Sequence, residues 1–352
     1  MRLVQPSSPA LTEGTLHSLV RRYGAGEPLS CEPVSQGLLN RGYRLATTRG
    51  RYFLKHHLDG HPSDPAGLAR IERQHSATAR LGALGLPVVP TVPDPEGRTV
   101  VVVGERCFAL HPWIEGRHQH GCELSDAQSR RLGALLGQVH TRLAQVLPEP
   151  PRTAGDAHAS ADPATTYETI GELLVRVRAQ PGRDSFDELA EHRLTERREL
   201  LRRYAQGRPP AVPAPFTGWV HGDFHPLNLL YAATGREPRP LAILDWDRLG
   251  VHPRAEEAVR GAAIFFLRPD GTLDLPRVRA YARAYRRSAG ASRGELSAAV
   301  HRVWWERLND FWMLRWRYQL GDVRADPQFP AAAALVVWWC ARYEAVRAAF
   351  CD

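Results

Sequence analysis

The rhythm of apolar and polar positions changes about a third of the way along the chain. Up to residue 114 the apolar positions come in short runs. RGYRLATTRGRYFLKHH (41–57) holds two extended runs broken at TTRG, which predicts a β-hairpin. Over about 64–84, Leu68, Ile71, Leu81 and Leu84 fall at helical spacing, and LGLPVVP supplies a Gly/Pro stop. RTVVVVGERCFALHPWI (98–114) predicts two more strands around a GE turn. The expected product is a small half-open sheet carrying one helix. Beyond it the pattern is helical. SDAQSRRLGALLGQVHTRL (125–143) opens on a Ser N-cap. Further helices are expected at about 166–180, 185–206, 254–266, 276–288, 294–319 and 330–350. Two Pro-rich stretches, 148–165 and 207–218, separate them, and no internal repeat is evident. The pattern predicts an α+β chain with a small lobe at 1–110, a connector at 111–116 and a large helical lobe at 117–352.

Composition narrows the class. With 352 residues, 43% hydrophobic and 24% charged, the chain can bury a large core and reads as an ordinary globular protein. No apolar run approaches the roughly 20 residues of a membrane helix, and the first residues lack the apolar core of a signal peptide. A cytoplasmic protein with no membrane partner is expected. Five scattered cysteines with no CxxC pair argue against a disulfide framework or zinc knuckle. The formal charge of +8 is spread along the whole chain, without a basic block interleaved with aromatics, so no nucleic-acid partner is expected. The expected assembly is a monomer or homodimer.

The chemistry concentrates in two places where polar groups interrupt an apolar pattern. WVHGDFHPLNLLY (219–231) places Asp223 five residues before Asn228, and LAILDWDRLG (241–250) delivers Asp245 and Asp247 at the end of a buried strand. Buried charge is costly unless paired, hydrogen-bonded or bound to metal. The Asp-x4-Asn spacing is that of a kinase catalytic loop. Hard Mg²⁺ takes oxygen ligands and keeps several waters, so one carboxylate and one amide suffice. The expected site is a magnesium–phosphate centre where two lobes meet.

These motifs resemble the aminoglycoside phosphotransferase-like family of small-molecule kinases, which includes choline and homoserine kinase relatives. The resemblance spans about residues 30–265. It implies a protein-kinase-like two-lobe fold, Mg²⁺, and ATP or GTP as phosphate donor. By position it makes Asp223 the catalytic base and Asn228 and Asp245 the metal ligands, with His221 and His225 as motif positions and Asp247 as a further acidic one. In SQGLLNRGYRL (35–45), Gly37 sits at the tip of a strand–turn–strand loop that can lay N–H groups on phosphates, and Asn40 lies beside it. Lys55 ends an apolar strand at the position of the phosphate-binding lysine. Its acid partner on the next helix is Glu72, with Gln74 as the alternative alignment. FALHPWIEG (108–116) matches the adenine-binding hinge, with His111 C=O and Trp113 N–H as its hydrogen-bonding pair.

Other readings are weaker. His221, Asp223 and His252 form the residue set of a 2-His-1-carboxylate iron site, but that site needs a downstream β-barrel where helices are expected. A metallophosphoesterase lacks its GNH partner. A nucleotide-binding pseudokinase is disfavoured because base, metal ligands and lysine are all present. His140 reads as a satisfied core histidine. Trp304, Trp305, Trp312, Trp316, Trp338 and Trp339 read as core or interlobe packing, and Glu306 and Asp310 as surface partners of Arg302 and Arg307. The helix after Asp245 follows within about ten residues, too soon for a peptide platform. The acceptor is therefore expected to be a small-molecule hydroxyl on an antibiotic or specialised metabolite, with a choline-like, amino-alcohol or homoserine-type acceptor as the alternative.

Overall fold

A computed structural model describes residues 11–34, 40–149, 159–211, 216–235 and 238–352. The chain forms two compact units: residues 1–118 with 227–249, and residues 119–226 with 250–352.

The first unit opens with helix α1 (Glu13–Arg22), whose Thr12 hydroxyl accepts from the Thr15 N–H at the N-cap. A five-stranded antiparallel sheet follows, in the order β1-β2-β3-β5-β4. Its strands are β1 (Pro28–Val34), β2 (Arg41–Thr47), β3 (Gly50–His57), β4 (Val101–Val103) and β5 (Arg106–Pro112), with helix α2 (Pro65–Ala83) between β3 and β4. The predicted hairpins and helix are all present, and α1 and β1 are additions to them. Alternation sorts the strands into two faces. Tyr43, Leu45, Leu54, Phe108 and Leu110 bury one face under Leu19 and Val20 of α1 and Tyr23 just after it. Each such side chain, fully buried, contributes roughly 1.5–3 kcal/mol. The other face carries Lys55, paired in register with Gly42 and Ala109, and His57, paired with Cys107.

Residues 227–249, expected in the helical lobe, fold with this unit. Strands β7 (Leu229–Tyr231) and β8 (Pro240–Ile243) pair as a ribbon. The ribbon is fastened to the loop after α2, where the Ile243 N–H donates to Pro87 C=O at 2.7 Å. It is fastened again at Arg117 and Tyr231, whose backbones exchange bonds of 2.9 and 2.8 Å.

Four histidines of this unit are held neutral. Burial first, then neighbouring cationic groups, lowers His56 and His111 to about 4, His57 to about 3 and His75 to about 2. The rings of His57, His75 and His111 form a chain with centroids 5.9 and 6.0 Å apart. The unfolded chain takes up these protons near pH 6.5, whereas the folded one does so only near pH 4 and below. Stability is therefore complete above pH 6.5 and falls as pH drops from there toward 4. Denaturant melts between pH 7 and pH 5 should show a falling midpoint for this unit. A flat or rising midpoint would show that these imidazoles are not held neutral.

The second unit is helical: α3 (Asp126–Val146), α4 (Pro163–Arg178), α5 (Ser185–Tyr204), α6 (Arg254–Phe265), α7 (Leu275–Ala289), α8 (Arg293–Asn309), α9 (Trp312–Arg315), α10 (Phe329–Ala341) and α11 (Tyr343–Cys351), with a ribbon of β6 (Thr217–Val220) and β9 (Gly250–Pro253). Helices α3 and α7 meet at close range because Gly133 and Gly137 carry no Cβ. At Gly133 a Cβ would lie 2.1 Å from the Tyr281 carbonyl oxygen. The expected helix 294–319 breaks after Asn309. Asp310 accepts from the Trp312 N–H at 3.1 Å and restarts the chain as α9. Arg197 donates to the freed carbonyls of Arg307 and Leu308 at 2.7 and 3.0 Å. A single π-turn at Trp316–Leu320 follows α9. The expected helix 330–350 is likewise divided at Arg342. Trp304, Trp305 and Trp339 are core residues, while Trp312 and Trp316 are half-buried and stack edge to face. Glu306 pairs with Arg260 at 2.7 Å. No helix among the described residues is long and apolar enough to cross a membrane.

Candidate active site

In the first unit the polar face of the sheet converges on one lysine. Lys55 Nζ donates to Asp247 Oδ1 at 2.6 Å and to Asp245 Oδ1 at 3.0 Å. Burial alone would lower the lysine's affinity for its proton. Asp247, then Asp245, outweigh it and hold Lys55 above its ordinary pKa. The ammonium is thus a fixed positive charge through neutral pH.

The two aspartates differ in what else they touch. Asp247 is saturated. Its second carboxylate oxygen accepts from Asn40 Nδ2, and its backbone carbonyl accepts from Gln74 Nε2 at 2.8 Å. Asn40 is itself fixed, because its Oδ1 accepts from the Leu58 N–H at 2.8 Å. Asp245 stays open, with a side chain 42% exposed against 14% for Asp247. Its backbone lies in the left-handed region, at φ 54°. Few non-glycine residues adopt that conformation, and where they do the strain is often tied to function. The β7–β8 ribbon brings Asn228 alongside: the Leu244 N–H donates to Asn228 C=O at 2.9 Å, one residue before Asp245. The backbone thus brings an amide residue close to an open carboxylate, and both are hard-oxygen donor types of the kind a magnesium ion takes.

In the second unit, β6 leads into the HGD turn. His221 is fully buried. Its Nδ1 accepts from the Asp223 N–H at 3.2 Å and shapes the turn. Phe224 packs against Phe265 of α6, with centroids 5.8 Å apart, and anchors the next residue inward. Asp223 is held between these two points with its carboxylate about a third exposed. His225 Nε2 stands 3.5 Å from Asp223 Oδ2.

Several expectations change. Glu72 is exposed on α2 and is not the acid partner of Lys55. The buried face of α2 is Ile71, Gln74, His75 and Thr78, and 100° per residue turns Glu72 away from it. Gln74 reaches the site instead, through the Asp247 carbonyl, and the acids come from the segment after β8. Trp113 also departs from its assignment. Its N–H donates to Arg51 C=O at 3.0 Å, because β5 continues its pairing with β3, so that donor is already committed. His111 lies within β5 opposite Phe53 with Nδ1 3.3 Å from Val89 O. Asn40 contacts Asp247, while Gly37 lies outside the described residues. Among the described residues no three histidine, cysteine or carboxylate side chains form a metal-binding group. His221 is engaged as an acceptor and residues 254–351 are largely helical, so nothing supports the iron site.

Comparison with known proteins identifies the family and the fold. A family profile described as "Phosphotransferase enzyme family" matches residues 30–291. No curated protein matches the chain in sequence. Among solved structures, a spectinomycin phosphotransferase bound to ADP and spectinomycin is similar over 96% of this chain and 100% of its own, at 14% identity and TM-score 0.64. A microcompartment-associated aminopropanol kinase is similar over 95% and 99%, at 15% identity and TM-score 0.58. The amicoumacin kinase hAmiN, in complex with AMP-PNP, Ca²⁺ and Ami, is similar over 93% and 92%, at 17% identity and TM-score 0.56.

Proposed function

Since the chain belongs to the phosphotransferase enzyme family and is a small-molecule kinase, we propose that it moves the γ-phosphate of ATP or GTP to a hydroxyl of an antibiotic or specialised metabolite. The observation that carries this reading is the cluster in which Lys55 is fixed by Asp247 and Asp245, with Asp245 open and Asn228 at its side. Lys55 supplies positive charge to the donor's phosphates. Asn228 and Asp245 would hold Mg²⁺, which when bound neutralises charge on the transferring phosphate. Asp223 accepts the proton of the acceptor hydroxyl. The acceptor oxygen forms the new bond to phosphorus as the bond to the leaving nucleoside diphosphate breaks. Asn40 and Gln74 act at one remove, by fixing Asp247.

The acceptor class follows from the chain between Asp245 and α6. Only residues 246–253 separate them, and 250–253 are already strand β9. That span has no room for a peptide-binding platform, so the acceptor is a small molecule. Antibiotic kinases among the similar folds support the choice of acceptor. The test is to incubate the protein with Mg-ATP or Mg-GTP and, separately, a panel of hydroxylated antibiotics, a metabolite extract and a protein extract. A product heavier by one phosphate is expected in the small-molecule arms. Labelling confined to proteins, or no transfer in any arm, would remove this reading.

A further inference from the structure

Lys55 is the only lysine in the sequence, and the rest of its 46 lysine and arginine residues are arginines. The two cations differ in habit. Arginine carries a planar fork of donors that locks onto carboxylates, whereas lysine is a compact charge on a flexible stem with three rotatable donors. The Lys55 ammonium is shared between two carboxylates that are not equivalent. Its bond to Asp247 Oδ1 is 2.6 Å, and Asn40 and Gln74 hold Asp247 in place. Its bond to Asp245 Oδ1 is longer, 3.0 Å, and Asp245 is the more exposed of the two acids. Lys55 is thus tied to a fixed carboxylate on one side and to an open one on the other, and the open one is the carboxylate proposed for the metal.

We propose that Lys55 is an electrostatic switch: in the free protein it occupies Asp245 and opposes metal binding there, and bound nucleotide frees Asp245 for the metal by drawing the ammonium onto its phosphates. The inference rests on the phosphotransfer reading, which brings phosphates and Mg²⁺ to this cluster. Two cations cannot share one carboxylate without cost. An ammonium 3.0 Å from Oδ1 offsets part of the charge that would attract Mg²⁺ and repels the ion itself. Asp247 offers no substitute, because Lys55 holds one of its oxygens and Asn40 the other. Phosphates change the balance. They present several anionic oxygens, and the ammonium can turn toward them about its bond to Asp247. Asp245 then keeps its full charge for the metal. Metal and nucleotide therefore bind cooperatively, each raising the affinity for the other by the same factor. An arginine fork locked across both carboxylates would lack this freedom, which gives a physical reason for one lysine in an arginine-rich chain.

The test is a Mn²⁺ titration of the full chain without nucleotide, read as loss of the free Mn²⁺ electron-spin signal. Mn²⁺ takes the same oxygen donors as Mg²⁺. Lys55→Met is expected to tighten Mn²⁺ binding at least about tenfold over the parent, and Lys55→Arg, which keeps the charge, less than about threefold. Adding Asp245→Asn to Lys55→Met should remove the gain. Parental affinity in Lys55→Met, an equal gain in Lys55→Arg, or a gain that survives Asp245→Asn would each overturn the proposal. The parent protein supplies a check that depends on no variant folding. With a single lysine, protein grown on carbon-labelled lysine gives one set of side-chain NMR signals. Mg²⁺ alone should leave those signals in place, and Mg²⁺ with a non-hydrolysable ATP analogue should move them. An equal shift with Mg²⁺ alone, or none with the analogue, would also overturn the proposal. Neither measurement uses an acceptor or turnover. An acceptor panel without product, beside tightened Mn²⁺ binding in Lys55→Met, would remove the phosphotransfer reading and leave the antagonism at Asp245 standing. Product in the panel beside unchanged Mn²⁺ affinity would overturn the switch alone.

Discussion

Asp223→Asn is expected to cut turnover by about 10²–10⁴, the range for losing a general base, while nucleotide affinity stays near that of the parent. The substitution is nearly isosteric. The Asp223 backbone N–H still donates to His221 Nδ1, and Phe224 still anchors the next position against Phe265. What disappears is the ability to take the acceptor's proton. Lys55, Asn228 and Asp245 are untouched, so nucleotide binding should persist. Titrating Mg-nucleotide binding beside the rate separates the two effects. A variant with near-normal turnover would remove Asp223 from the role of base.

Asp245→Ala should show a different signature. It removes the one carboxylate of the cluster that is open to solvent and leaves the Lys55–Asp247 pair in place. A rightward shift in the Mg²⁺ saturation curve is expected together with a fall in rate. Losing an outer-shell partner of a metal ligand costs about 10–100-fold, so losing a ligand should cost at least that. Asp245→Asn is the control for backbone effects, because asparagine tolerates the left-handed conformation that Asp245 adopts at φ 54°. A parental Mg²⁺ or Mn²⁺ curve for the alanine variant would show that Asp245 is not a ligand.

The parts of this site written in local sequence were legible. The Asp223–Asn228 spacing and the strand delivering Asp245 are short-range features, and the β2–β3 and β4–β5 hairpins announce themselves by alternation and turn residues. Helix α1 had a Thr cap and Arg residues in its last turn, but it is only ten residues long and is stabilised mainly by the sheet it covers. The partner of Lys55 was misread because the nearest acid on α2 was the natural choice. The choice between Glu72 and Gln74 depends on helix phase, and the actual acids are 190 and 192 residues away. Trp113 was misread for a similar reason. An i, i+2 pair of backbone groups is available to a ligand only if the neighbouring strand has ended, and here β3 still claims the donor.

The assignment of residues 227–249 to the first unit bears on how the chain matures during synthesis. Lys55 leaves the ribosome 190 residues before Asp245. At about 5–20 residues per second, the delay is roughly 10–40 s. For that time the early sheet and both its helices exist without the β7–β8 ribbon and without the carboxylates that neutralise the lysine. A nascent chain in that state has an ammonium without its two carboxylate partners, which favours water over burial. The unit that begins the chain is therefore completed only after residues 119–226 of the other unit have been made. Translation products interrupted before residue 245 remain open to chaperones and proteases.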